Sequence, residues 1–292
     1  MATLSKQSNE QTYLKNIPSV SCSSPPSHIM SHDGNILEIK TMQASTFKQV
    51  IDSLKEILMD VNLEFDETGM KIVALDNTHV VLVHLKLDAE KFETYHCEKK
   101  LYVGINMLKL HMLIKTISNN DMLTLYVERN DPNHLGIRIE NPTKNLRTTY
   151  KLSMLDINVL NMNIPPADFE TIITMPSVDF QKIIRDMHNL AEFIEIRNVG
   201  NQLCFSCKGD FCTQETVLCT DKNDTIQISK NNSKDQEIIQ GVFILKYLAT
   251  FTKCTNLSNV VEIFLKNTYP IILRYSVASL GEIKLCLAQV ES

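Results

Sequence analysis

Cys204-Phe205-Ser206-Cys207, with Cys212 and Cys219 downstream, is the one cluster in this 292-residue chain whose side chains could hold a metal, since closely spaced thiolates are zinc ligands. The spacing argues against it. Cys204 and Cys207 are three apart in a segment that reads as a strand, so they point to opposite faces, and the pattern fits no common zinc module well. Buried thiols are the expectation, with no metal and no other cofactor. None of the eight glycines begins a G-x-x-x-x-G-K phosphate loop. H-E-x-x-H and G-x-S-x-G do not occur. The carboxylates show no paired spacing distinct from surface charge, so no residues carry an enzymatic reading.

Composition narrows the alternatives. A length of 292 residues favours two domains, each able to bury a core, and 43% hydrophobic with 22% charged residues is ordinary for a soluble protein. The net charge of −5 gives no whole-chain signal for nucleic acid, so a DNA-binding surface would need its basic residues segregated onto one face. Eight cysteines (Cys22, Cys97, Cys204, Cys207, Cys212, Cys219, Cys254, Cys286) without an apolar leader near Met1 suggest reduced intracellular thiols. No apolar run reaches the roughly 18 to 20 residues of a membrane span.

The elements that must position these side chains come in duplicate. Phe47, Val50, Ile51, Leu54 and Ile57 mark one apolar helix face, and Phe180, Ile183, Ile184, Met187 and Leu190 repeat it 133 residues later (47 to 180). Met42 and Met175 keep that offset. The first helix is expected over 46–58 with Ser45 or Thr46 as N-cap, a second over 107–117, a third over 179–190 and a fourth over 245–254. Leu248 and Phe251 of the fourth answer Leu110 and Leu113 of the second at an offset of 138 (110 to 248). Alternating strands fill the intervals, with turn residues at Asp66-Glu67-Thr68-Gly69 and Asp76-Asn77-Thr78. Residues 223–237 read as a polar loop. The division is therefore a disordered tail over 1–36, a first domain over 37–155, a connector over 156–166 and a second domain over 167–292. The class is α+β, with antiparallel sheets and four helices on one face.

Leu75-Asp76-Asn77-Thr78-His79-Val80-Val81-Leu82-Val83 resembles the strand-turn-strand signature of the proliferating cell nuclear antigen family, the sliding clamps of eukaryotes and archaea. Phe92-Glu93-Thr94-Tyr95-His96-Cys97, Gly104-Ile105-Asn106, Met175-Pro176-Ser177, Tyr247-Leu248 and Gly281-Glu282-Ile283-Lys284 continue the match in order. The resemblance implies a ring of three subunits around duplex DNA, helices lining the hole and sheets outside, located in a nucleus or viral replication compartment. Such proteins tether polymerases and other replication proteins and are opened by a clamp loader. A clamp-derived interaction scaffold that does not encircle DNA is the alternative.

On that resemblance the DNA-facing set is Lys48 and Lys55, Lys109 and Lys115, Lys182 and Arg185, and Lys246 and Lys253, one basic pair per helix. A lysine pair on any one helix reads better as a solvated face; recurrence on all four favours DNA. By position the family's partner pocket corresponds to Leu75, His79, Val80, Leu82, Met162, Ile164, Pro165 and Pro270, with Ala288 at its edge. Partners are expected to insert a short hydrophobic plug there. Cys286 stands where the family usually has an aromatic residue, Gln289 replaces a proline, and Gly200 replaces a lysine used for ubiquitin attachment. The strands 147–152 and 215–219 are the expected subunit edges, with Tyr150 facing Val217 or Leu218 and with Lys144 and Arg147 as charges that could deter pairing.

Overall fold

The computed structural model describes residues 34–159, 169, 171–219, 226–230 and 238–290. The expected tail up to residue 33, and Met162, Ile164 and Pro165 of the connector, lie outside the described residues. In chain order the first half runs β1 (Asn35–Thr41), α1 (Ala44–Leu54), β2 (Asp60–Asp66), β3 (Gly69–Leu75), β4 (Val81–Asp88), β5 (Thr94–Cys97), β6 (Leu101–Asn106), α2 (Met107–Ile114), β7 (Met122–Glu128), β8 (Asp131–Asn141) and β9 (Leu146–Ser153). The second runs β10 (Thr171–Pro176), α3 (Ser177–His188), β11 (Phe193–Val199), β12 (Gln202–Lys208), β13 (Thr213–Cys219), β14 (Gln227–Lys230), β15 (Ile239–Ile244), α4 (Leu245–Phe251), β16 (Val260–Leu265), β17 (Ile271–Val277) and β18 (Gly281–Leu287).

All the strand pairs among the described residues are antiparallel. Strands β5-β1-β7-β8-β9 form one sheet and β13-β12-β11-β15 another. The third sheet, in the order β14-β10-β16-β17-β18-β4-β3-β2-β6, draws strands from both halves. Its joint is the pairing of β18 with β4, from Gly281 opposite Leu87 to Leu287 opposite Val81. Period-two burial makes that joint possible: Val81, Val83, Leu85 and Leu87 on β4 and Ile283, Leu285 and Leu287 on β18 all point to the core. Gly281 begins it because a Cβ there would sit 2.0 Å from the Lys86 carbonyl oxygen. The two halves thus share one sheet and one contiguous hydrophobic cluster, where sequence patterning suggested two separate cores.

The helices bury the faces that the repeat marked. Phe47, Val50, Ile51 and Leu54 on α1, and Phe180, Ile184 and Met187 on α3, are fully buried, and α1 packs on α2 as α3 packs on α4. Several bounds differ from expectation. The first helix begins at Ala44 behind Gln43, with no side-chain cap, so neither Ser45 nor Thr46 is the N-cap; it ends at Leu54, and Lys55 is its C-cap. The second stops at Ile114, with Lys115 as C-cap. The fourth stops at Phe251 and continues as a 3-10 turn over Thr252–Asn256, so Lys253 lies on that turn. The polar 223–237 stretch contains a strand, β14, paired to β10; its short Gln-Ile-Ser-Lys run carries too weak an alternation to announce itself.

Candidate functional site

The helix face carries the eight basic residues, but they differ in availability. Lys109, Lys115, Lys182 and Lys246 are exposed and have no ion pair among the described residues. Arg185 is exposed too, with Asp186 at 3.9 Å as its nearest acid. The other three are engaged inside the protein. Lys48 Nζ donates to the Ile117 carbonyl at 2.5 Å, tying α1 to the segment after α2. Lys55 Nζ lies 2.5 Å from Asp52, whose carboxylate also meets His111 Nε2 at 2.9 Å. Hydrogen bonding to Lys55 holds the Asp52 carboxyl below its ordinary range against the opposing effect of burial. Lys253 pairs with Glu56, and Ser53 Oγ donates to the Lys253 carbonyl at 3.4 Å, so this lysine joins the second half to the end of α1. Sequence could flag only Lys55, with Asp52 three residues earlier; the partners of Lys48 and Lys253, the Ile117 carbonyl and Glu56, lie far along the chain. It also gave no notice of Leu108 and Met112, which are 55% and 57% exposed on α2. Their repeat counterparts on α4, at an offset of 138 (108 to 246), are Lys246 and Thr250.

On the opposite face of the shared sheet, strand register gathers the described pocket residues. Leu75 pairs with Leu82, Leu82 with Cys286, Cys286 with Ile272 and Ile272 with Phe264, a half-buried apolar row crossing the β4–β18 joint. Leu82 belongs to this outward face, whereas Val80 is half-buried against the core cluster in which Val81 and Val83 lie. The Ala288 N–H donates to the Val80 carbonyl at 3.1 Å, which sets Ala288 beside the row. Pro270 is exposed just ahead of β17. His79 is exposed and sits at φ 60°, a left-handed value uncommon outside glycine. Gln289 reaches back to the Tyr269 carbonyl at 2.7 Å, a bond a proline could not make. Burial pushes the Cys286 thiol up to about 11, keeping it neutral and apolar in character. Beneath the start of the connector lies a cavity of about 70 Å³ bordered by Asn62, Leu75, Tyr102 and Ile157. Asn62 Nδ2 donates to the Ile157 carbonyl at 3.0 Å there.

Asp76 organises the turn between β3 and β4, a role that its place in a turn motif only hinted at. Its carboxylate accepts from the backbone N–H groups of Val80 at 3.0 Å, Val81 at 2.9 Å and Thr78 at 3.3 Å, and from the Thr78 hydroxyl. Burial alone would raise its pKa; the bonds from Thr78, Val81 and Val80 outweigh that and lower it. The Thr78 hydroxyl lies 2.9 Å from the Tyr247 hydroxyl, linking the turn to α4. On the next outward row His84 is held below its ordinary pKa by burial and by Lys284.

Strands β9 and β13 are each the outermost strand of their sheets, paired on one side only. Tyr150 and Leu218 are half-buried, on the sides of their strands that meet the core, whereas Val217 is 45% exposed on the other side. Parity therefore puts Leu218 with Tyr150 and leaves Val217 on the opposite face. Arg147 is held at 2.7 Å by Glu140 on the neighbouring strand, and Lys144 is exposed in the preceding turn. Cys207 faces the core cluster while Cys204 lies outside it, as their odd spacing implies.

Comparison with known proteins accords with this architecture. The family model for the proliferating cell nuclear antigen N-terminal domain matches residues 36–162, and that for its C-terminal domain matches residues 163–290. A probable DNA polymerase sliding clamp of Paramecium bursaria Chlorella virus 1 is 38% identical over 267 residues, covering 90% of this chain and all of the relative. Proliferating cell nuclear antigen of Chaetomium thermophilum is 32% identical over 256 residues, covering 87% and 97%. The crystal structure of the Entamoeba histolytica proliferating cell nuclear antigen superposes with a TM-score of 0.80 at 26% identity, covering 88% of this chain and all of that one. With both domain models matched in order across a two-part, antiparallel, four-helix fold, the chain belongs to the proliferating cell nuclear antigen family and is a DNA sliding clamp.

Proposed function

We propose that three copies of this chain close into a ring around duplex DNA and hold replication proteins to it without catalysing a reaction themselves. The observation that carries the reading is the pair of open edges, β9 and β13, of nearly equal length and without a proline to block a backbone donor. Two different open edges that pair between copies make a heterologous, head-to-tail contact, and such contacts generate closed rings when the rotation permits. The helix face then lines the hole. Lys109, Lys115, Lys182, Arg185 and Lys246 supply phosphate contacts there, with Lys48, Lys55 and Lys253 adding field from positions engaged by neighbouring groups. Such contacts are independent of base sequence and sensitive to salt, which permits sliding.

Partners carrying a hydrophobic plug dock through Leu75, His79, Val80, Leu82, Pro270 and Ala288 together with Met162, Ile164 and Pro165 of the connector. A clamp loader opens the ring, and a nucleus or viral replication compartment is the working location. The test is retention. Protein loaded on nicked circular duplex should survive a salt wash and leave when the circle is cut. Equal loss from circular and linear DNA would remove encirclement and favour the interaction-scaffold alternative.

A further inference from the structure

Phe211 is 80% exposed, the highest value among the exposed large apolar side chains of the described residues. It stands in the turn between β12 and β13, and that turn is held firmly. Gly209 N–H donates to the Cys212 carbonyl at 2.9 Å, and the turn lies so close to the chain after α3 that a Cβ on Gly209 would be 2.0 Å from the Leu190 carbonyl oxygen. The ring is thus presented by a fixed backbone at the start of an open edge strand.

The other open edge has a matching surface. Leu152, Met154 and Leu155 are half-buried at the end of β9. Their backbone is fixed by Met154 N–H to the Asn133 carbonyl at 2.9 Å and Leu155 N–H to the Gly104 carbonyl at 2.8 Å. Antiparallel pairing of β9 with β13 must keep the half-buried sets, Tyr150 and Leu152 on one and Thr216 and Leu218 on the other, on the same side. In the two registers of that parity with the fullest overlap, Phe211 falls opposite Ser153 or Leu155.

We infer that Phe211 is the anchor of the subunit joint, packing against Leu155 of a second copy of this chain in the register of fullest overlap. This rests on the ring reading above and goes beyond it in naming the side chain on which closure depends. A few side chains that become fully desolvated carry most of the energy of a protein joint.

The test uses the full chain, which contains no tryptophan, so Phe211→Trp introduces a single fluorescent reporter. Its emission should shift to shorter wavelength, and its quenching by acrylamide fall, as concentration is raised through assembly in sedimentation velocity. Neither change should occur when Tyr150→Ala is added. Phe211→Ala should raise the dissociation constant of the ring on the order of 10- to 100-fold, with an unchanged circular dichroism spectrum because the residue is outside the core. An assembled trimer whose tryptophan stays fully quenchable overturns the Phe211 assignment and leaves the ring standing. A wild type that remains monomeric at roughly tens of micromolar, the range of weak joints, overturns both.

Discussion

The Tyr247 hydroxyl lies 2.9 Å from the Thr78 hydroxyl, a bond between α4 of the second half and the β3–β4 turn of the first. It holds the turn that borders the apolar row. Tyr247→Phe removes one partner while leaving the aromatic ring in place, and a net loss of about 0.5–1.5 kcal/mol is expected for such a bond. Urea denaturation should report the stability change. Calorimetry with a plug-motif peptide should show weaker binding if the turn shapes the pocket, and an unchanged affinity would confine the bond to a structural role.

Asp76 should make this turn sensitive to acid. Its folded pKa lies below the ordinary 3.8, so its contribution is fully present above that value and is lost as pH falls through the depressed folded value. Asp76→Asn should cost about 1–3 kcal/mol at neutral pH, because an amide cannot accept all four hydrogen bonds. The gap between wild type and variant should narrow as pH is lowered below the ordinary carboxylate pKa. A gap that stays constant through that range would show that ionisation of Asp76 is irrelevant.

The split among the basic residues predicts two classes of variant. Exchanging Lys115, Lys182 and Lys246 for glutamine should reduce the salt dependence of DNA retention by a slope of about 0.9 for each phosphate left without its lysine, with little effect on melting temperature. Lys48→Met and Glu56→Gln should do the reverse. They break the Lys48–Ile117 and Glu56–Lys253 interactions and lower thermal stability while changing the salt slope less. Equal effects of both classes on DNA retention would show that the internal pairs do not decide which lysines meet phosphate.

For the partner pocket, Leu82→Ala and Ile164→Ala should each weaken peptide binding, by no more than the roughly 1.5–3 kcal/mol that full burial of such a side chain is worth. Cys286→Tyr adds bulk between Leu82 and Ile272 in the paired row. It should favour peptides with smaller plugs over those with two large aromatic residues. Calorimetry on a pair of such peptides checks this: a preference that does not move would clear Cys286 of any role in selectivity.

Tyr150→Ala should shift wild-type assembly towards monomer without unfolding, since the side chain is half-buried at an open edge and not part of the fully buried core. Sedimentation velocity beside circular dichroism separates dissociation from unfolding. A variant that assembles like wild type would remove Tyr150 from the joint.

Residue order alone was enough for whatever is local or periodic. The repeat at 47 and 180 predicted which helix faces are buried, because a 3.6-residue period and a core leave little freedom. Alternation identified 79–87, 147–152 and 215–219 as strands, but the fold decided which face of 79–87 is buried. Relations between distant segments emerged only in the folded chain. Both β4 and β18 read as ordinary strands, yet their pairing merges two expected cores into one sheet, since backbone pairing is not encoded by a strand's own alternation. Lys48 reaches the Ile117 carbonyl across 69 residues, a bond invisible in residue order. For the same reason Lys253 and Lys109 look alike in the sequence but differ in the fold. One meets Glu56 from 197 residues away, and the other has no ion pair among the described residues.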